Sequence, residues 1–268
     1  MQLLRRPIAS YTRGIVRLPL ILVQFVRAVR LVRKPHRYLT SYLLAKAPSI
    51  PTIEFRDGLR VSLSSHPSDL VTSFVVFVKR DYGEIPAGGT VLDIGANIGC
   101  FSLYAARAGA RRIVAVEPSA EAYSTLVENI RQNALARLVQ PVQMAVTGDA
   151  GAVVPFPTRS SPESRIGVAD ATHEVSYVRT TTIEELLTTF AVEEVDLLKL
   201  DCEGAEYDII FKTPGYLWSV VKRIRLEYHA GRSLELIAYL RGHGYGVRRH
   251  RARQVETSEH GDLWVERT

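Results

Sequence analysis

Short apolar runs alternate with amphipathic stretches from residue 90 to residue 230. The run Val91, Leu92, Ile94 predicts a strand that ends in the small-residue turn Gly95-Ala96-Asn97-Ile98-Gly99. Cys100 to Ala108 reads as a helix rich in small residues, and Arg112 to Val116 as a second strand, closed by Glu117. Tyr123, Leu126, Val127 and Ile130 fall on one face of a helix over 121–133. Val142 to Val146 predicts a third strand, Val195 to Leu200 a buried one and Ile224 to Tyr228 another. Thr182-Ile183-Glu184-Glu185 is a capping box that opens a short helix. Residues 147–175 carry Gly, Pro and Ser with little periodicity and predict a loop, long enough in a compact domain to be functional or poorly ordered. Gly244 to Arg248 and Leu263 to Glu266 read as two short closing strands. Alternation of strand and helix predicts an α/β fold with a parallel sheet, right-handed crossovers and ligand sites at the C-terminal strand ends.

Upstream, Ile53 to Leu63 alternates around Asp57-Gly58, a hairpin signal. Ser68 to Val78 reads as a helix with Asp69 near its positive end, and Pro86-Ala87-Gly88-Gly89 as the hinge into the first core strand. Before these lies an arm, residues 1–50, distinct from a domain at 51–268. From Ile15 to Val32 the arm is apolar with inserted cations at Arg17, Arg27 and Arg30, followed by Arg33 and Lys34. Its longest uncharged run, Leu18 to Val26, is well short of the roughly 20 residues a bilayer requires, and no signal-peptide cleavage site follows. Two readings stay open: an amphipathic helix on an anionic membrane surface, or a helix packed on the domain or a partner subunit with its arginines in water.

Charge sharpens this division. The chain of 268 residues has a net charge of +6, yet residues 1–53 hold ten Lys or Arg and no acid, and the remainder holds 24 basic against 28 acidic residues. A mildly acidic body argues against a nucleic-acid partner. The two cysteines, Cys100 and Cys202, have no metal-ligand spacing and read as small buried thiols in a reducing cytoplasm. The expected location is cytoplasmic, with the arm as the candidate for peripheral membrane contact.

The turn Asp93-Ile94-Gly95-Ala96-Asn97-Ile98-Gly99 and Glu117 carry the chemistry. A carboxylate at the second strand's tip is placed to accept both hydroxyls of a ribose. A nicotinamide enzyme would show G-x-G-x-x-G for its pyrophosphate; here the third glycine is missing. Asp93 would repel a pyrophosphate and welcome the cationic amino-acid end of S-adenosylmethionine. An NAD(P)-dependent oxidoreductase is therefore the second reading, and a non-catalytic binding module the third. Further along, Asp201-Cys202-Glu203-Gly204-Ala205-Glu206 follows one buried strand, and Glu227-Tyr228-His229 ends the next.

These motifs together, with Val116-Glu117-Pro118 and Leu198-Lys199-Leu200, resemble the FkbM family of S-adenosylmethionine-dependent methyltransferases over about residues 52–230. The resemblance implies a Rossmann-like class I methyltransferase fold, a seven-stranded mostly parallel sheet with its last strand antiparallel. It also implies O-methylation of a hydroxyl, on a sugar of a glycolipid or polysaccharide or on a related secondary metabolite. Cofactor contacts are then expected at Asp93, Gly95, Ala96, Asn97, Gly99, Glu117, Pro118, Ala145 and Asp201. For catalysis His229 is the expected general base, since an imidazole titrates near neutral pH. Glu227 would orient it or hold a sugar hydroxyl, and Asp201 would lie nearest the methyl. A metal held by Asp201, Glu227 and His229 ranks lower, because no i,i+3 or i,i+4 ligand pair occurs, so no metal is assigned. Glu206 is expected to serve a helix start.

Overall fold

The computed structural model describes residues 21–44, 51–64, 66–157, 175–229, 231–255 and 258–268. Among these, the strands in chain order are β1 (Thr52–Glu54), β2 (Arg60–Ser62), β3 (Thr90–Ile94), β4 (Arg112–Val116), β5 (Val139–Val142), β6 (Ala145–Val146), β7 (Val153–Pro157), β8 (Val175–Thr181), β9 (Leu197–Leu200), β10 (Arg223–Tyr228), β11 (Tyr245–Val255) and β12 (Ser258–Arg267). Seven form one sheet in the order β11-β12-β10-β9-β3-β4-β5. The β3, β4, β5, β9 and β10 pairings are parallel, and only β12 runs against its neighbours. The chain thus has the sheet expected of the class I methyltransferase fold.

Alternation along the strands sends their side chains to two layers. Val91, Ile113 and Leu197 pack with Phe101, Ala105, Leu126 and Ile130 of helices Cys100–Arg107 and Ala120–Gln132. Leu92, Ile94, Val114, Leu198 and Leu200 pack with Leu186, Ile209, Ile210, Leu236 and Leu240 of helices Ile183–Thr189, Glu206–Lys212 and Ser233–Gly242. Each such side chain stabilises the fold by about 1.5–3 kcal/mol on burial. Burial on both faces explains the continuous apolar runs of the central strands. The loops at their C-terminal ends therefore open on one crevice.

The arm is partly absorbed into the body. Residues 21–31 are helical, and a second helix spans Pro35–Leu44. Ala28, Val32, Tyr38 and Leu39 are buried with Ile53, Phe55, Phe74 and Phe77, while the Arg27 guanidinium donates to Val78 O at 2.6 Å. By contrast Ile21, Leu22, Val23 and Phe25 are exposed. Ile15, Arg17 and the rest of residues 1–20 lie outside the described residues. No helix of the described residues is long and apolar enough to cross a membrane.

Four expectations need correction. The third sheet strand is Val139–Val142, upstream of the expected 142–146; Gln140 and Pro141 interrupt its apolar pattern, and Ala145-Val146 instead pairs with Thr180-Thr181. Residues 147–175 are not loop throughout, since β7 and β8 form an antiparallel ladder with Pro155 opposite Tyr177 and Pro157 opposite Val175. Prolines fit an outer strand of a small sheet and conceal its periodicity. The closing strands are not short: β11 and β12 pair from Tyr245↔Arg267 to Val255↔Ser258, past a bulge after Val247. Helix Pro67–Ser73 passes into a π-helical segment, Phe74–Lys79, which ends at left-handed Arg80.

Candidate active site

The turn after β3 is held by close approach of three strand tips. Gly95 has φ +75, and a Cβ there would lie 1.9 Å from Asp201 O, so no other residue fits without displacing β9. The Gly95 and Ala96 N–H groups both donate to Val116 O at 3.0 Å. Asn97, at φ +50, donates its N–H to Glu117 Oε2 at 2.7 Å. Gly99 starts helix Cys100–Arg107 against the Leu126 side chain. Pro118 joins Glu117 to Ser119, whose N–H donates to Glu117 Oε1 at 2.8 Å and whose side chain caps helix Ala120–Gln132. Burial raises the Glu117 pKa against the pull of these two backbone donors, to about 7. Ala145 sits just past the tip of β5, its strand paired to β8.

Asp93 is held by groups of the chain itself. It is fully buried, and the cation it meets is the chain's own Lys199, whose Nζ is 3.3 Å from Oδ1. Ser102 donates to Oδ2 at 2.7 Å. Lys199 faces Asp93 in the β3–β9 register and also donates to Gly95 O at 2.5 Å. Burial alone would lower the Lys199 pKa, but the charges of Asp93 and Asp201 outweigh it and raise it. Asp93 thus organises the turn through Lys199 and Ser102. Lys199 stood in the motif, but its alternation position gave no sign that it would be the central counter-ion.

Asp201 follows β9, its N–H bonded to Ile94 O at 3.2 Å. Its Oδ2 accepts the Tyr82 hydroxyl at 3.0 Å. Tyr82 lies 119 residues away and carries no motif, which is why sequence reasoning missed it. Beyond Asp201, Glu203 and Gly204 turn at φ +52 and +113. Glu206 is fully buried at the start of helix Glu206–Lys212, accepting the Cys202 N–H at 2.7 Å and the Gly204 N–H at 2.9 Å.

His229 directly follows β10 with 6 % exposure; its Nδ1 is 3.3 Å from Glu206 Oε1 and its Nε2 3.4 Å from Glu203 Oε2. Burial would lower its pKa, but the hydrogen bond and charge of Glu206, with Glu203 and Asp201, raise it to about 9. The acids around His229 thus favour its protonated form, against the pull of burial. Glu227 is raised to about 8 by burial and by the charges of Asp201 and Asp262. Burial also pushes both cysteine thiols up, so neither offers a thiolate.

The residues present suit a nucleoside. Each Glu117 oxygen accepts one backbone N–H and keeps lone-pair capacity for a ribose hydroxyl. The Asn97 side-chain oxygen is buried with no hydrogen-bond partner among the described residues, a polar group that a ligand at the turn could satisfy.

Residues 93–247 match the family described as Methyltransferase FkbM domain. The chain is 28% identical over 211 residues to the AMB antimetabolite synthetase AmbE of Pseudomonas aeruginosa, an alignment covering 63% of this chain and 10% of that protein. It is 25% identical over 209 residues to Methyltransferase sdnD of Sordaria araneosa, covering 64% of this chain and 79% of the relative. This chain thus spans about a tenth of the first relative's length and most of the second's. Among solved structures, Trm5b from Pyrococcus abyssi aligns with a TM-score of 0.47 and 14% identity, over 81% of this chain and 56% of that one.

Proposed function

The chain belongs to the methyltransferase FkbM family, with S-adenosylmethionine as its methyl donor, and from that premise we propose that it methylates a hydroxyl group of a small molecule or glycolipid, a sugar hydroxyl in the first place. The family assignment sets the NAD(P) oxidoreductase reading aside. The observation that carries the proposal is the group of acids at the C-terminal ends of β9 and β10, beside the donor turn: Asp201 and Glu227, with His229 directly after β10. A hydroxyl must lose a proton as it is methylated, and this group supplies the acceptor.

When bound, the cofactor supplies an activated methyl for in-line displacement. The chain's part is alignment and proton removal. Glu117 accepts the ribose hydroxyls, and Asn97 satisfies its buried amide on the same ligand. Tyr82 and Lys199 fix Asp201 at the methyl's edge of the crevice. Glu227 takes the acceptor's proton, and Glu206 holds the His229 ring from behind. An antimetabolite synthetase among the relatives accords with a small-molecule acceptor, and the acidic balance beyond residue 53 accords with one that is not a nucleic acid. The arm extends the reading: exposed Leu22 and Phe25 stand beside exposed Arg30, Arg33, Lys34 and Arg37, a combination that suits an anionic lipid surface.

The test is incubation with methyl-labelled S-adenosylmethionine and fractionated lipid, polysaccharide and RNA extracts. Base-stable label in a glycolipid or polysaccharide fraction supports the reading. Label confined to RNA or protein overturns the acceptor class.

A further inference from the structure

We propose that Asp201, Glu203 and His229 form a divalent-cation site on the acceptor side of the crevice. One ligand atom from each lies within 4.8 Å of the other two, a spread that a single ion spans with bonds of about 2.1–2.4 Å. The sequence had grouped Asp201 and His229 with Glu227. The structure puts Glu203 there, because the left-handed turn at Glu203 and Gly204 brings its carboxylate back to the strand tip. Glu227 is instead approached by Arg253, 3.8 Å away.

A second observation comes from behind the imidazole. His229 is buried, and its Nδ1 is engaged by Glu206, itself fully buried and fixed by two backbone N–H groups. That leaves Nε2 as the nitrogen directed at Glu203. A carboxylate behind one ring nitrogen sets the tautomer and ring orientation, and strengthens the other nitrogen as a ligand. Glu206 is thus a positioning residue. Tyr82 and Lys199 both approach Oδ2 of Asp201, which holds that carboxylate in place. Two carboxylates and one imidazole suit a hard or borderline ion of the manganese or magnesium type. Three protein ligands leave positions for other oxygens, and a polyol acceptor offers adjacent hydroxyls to fill them. That use of the open positions rests on the acceptor reading above; the cation site itself does not.

The experiment is titration of the full chain with manganese(II) alone, read by loss of the free-ion electron paramagnetic resonance signal, followed by competition with magnesium. One manganese per chain is expected, with E203Q weakening it about tenfold or more and His229→Asn likewise. Thermal melts confirm that each variant is folded, and E203Q, at a partly exposed turn, leaves the core untouched. No saturable binding by the unaltered chain up to about 1 mM, the weak end for such sites, overturns the proposal. So does an affinity unchanged in both variants. The labelled-donor incubation on the same samples separates the two readings: manganese bound while label is confined to RNA or protein supports the cation site and sinks the acceptor reading.

Discussion

Replacing Lys199 by methionine removes a charge from the centre of the site while keeping the side chain's length and most of its apolar stem. The perturbation is severe because of what the ammonium touches. Asp93 is fully buried, the Lys199 side chain is 4% exposed, and the two are 3.3 Å apart. Gly95 O would also lose its donor at 2.5 Å. Removing one member of a buried ion pair costs about 3–5 kcal/mol, since the other charge is left uncompensated. The Ser102 bond to Asp93 survives and Asp93 has the option of taking up a proton, so the low end, about 3 kcal/mol, is expected. At roughly 2–4 °C per kcal/mol for a chain of this size, the melting temperature should fall by about 6–12 °C. The decisive assay is a double-mutant cycle by urea denaturation with Asp93→Asn. A neutral amide needs no counter-ion and retains a partner in Ser102, so the double variant should be more stable than Lys199→Met alone. A loss below about 1 kcal/mol in Lys199→Met, or a double variant showing the sum of both single losses, would refute the argument.

Other perturbations test the remaining parts of the site. Gly95→Ala should weaken S-adenosylmethionine binding about a hundredfold, because its Cβ displaces the Asp201 backbone; near-normal calorimetric affinity would contradict the close approach. Glu117 has a folded-state pKa of about 7, above the ordinary 4.5, so its contribution to stability is greatest below pH 4.5 and is lost as pH rises through 7. Cofactor affinity should run the other way, weakening as pH falls below about 7, and Glu117→Gln should flatten that profile. Glu227→Gln should cut kcat by about 10²–10⁴ while cofactor affinity stays intact; unchanged turnover removes it as proton acceptor. Leu22→Glu with Phe25→Glu should abolish flotation with anionic vesicles without shifting the melt, as both side chains are exposed; undiminished flotation argues against the arm as the contact.

Much of this was legible in the chain because it depends on local pattern. The β3 turn, Glu117 and the acids after β9 and β10 are short motifs, and central strands buried on both faces announce themselves as apolar runs. What escaped depends on distance or on edges. Tyr82 reaches Asp201 only through the fold, and Lys199 meets Asp93 only through the β3–β9 register. The upward shift of the His229 pKa follows from acids brought around it by the fold. The third strand and β7 were obscured by their prolines, and the length of β11 by its run of arginines.

That run of arginines bears on how copies of the molecule meet. Among the described residues β11 pairs only with β12 in the sheet, which leaves one side of its backbone ladder without a strand partner there, the usual template for edge-to-edge pairing between chains. Arg248, His250, Arg251 and Arg253 are exposed along it, and a bulge twists it after Val247. The opposite border, β5, is protected differently: it is four residues long and Pro141 withholds an N–H. A second copy extending the sheet at β11 would set one row of arginines against another, and at β5 it would find almost no ladder. Association between copies is thereby steered away from the sheet borders and toward the helical faces, keeping a continuous fibre of strands out of reach.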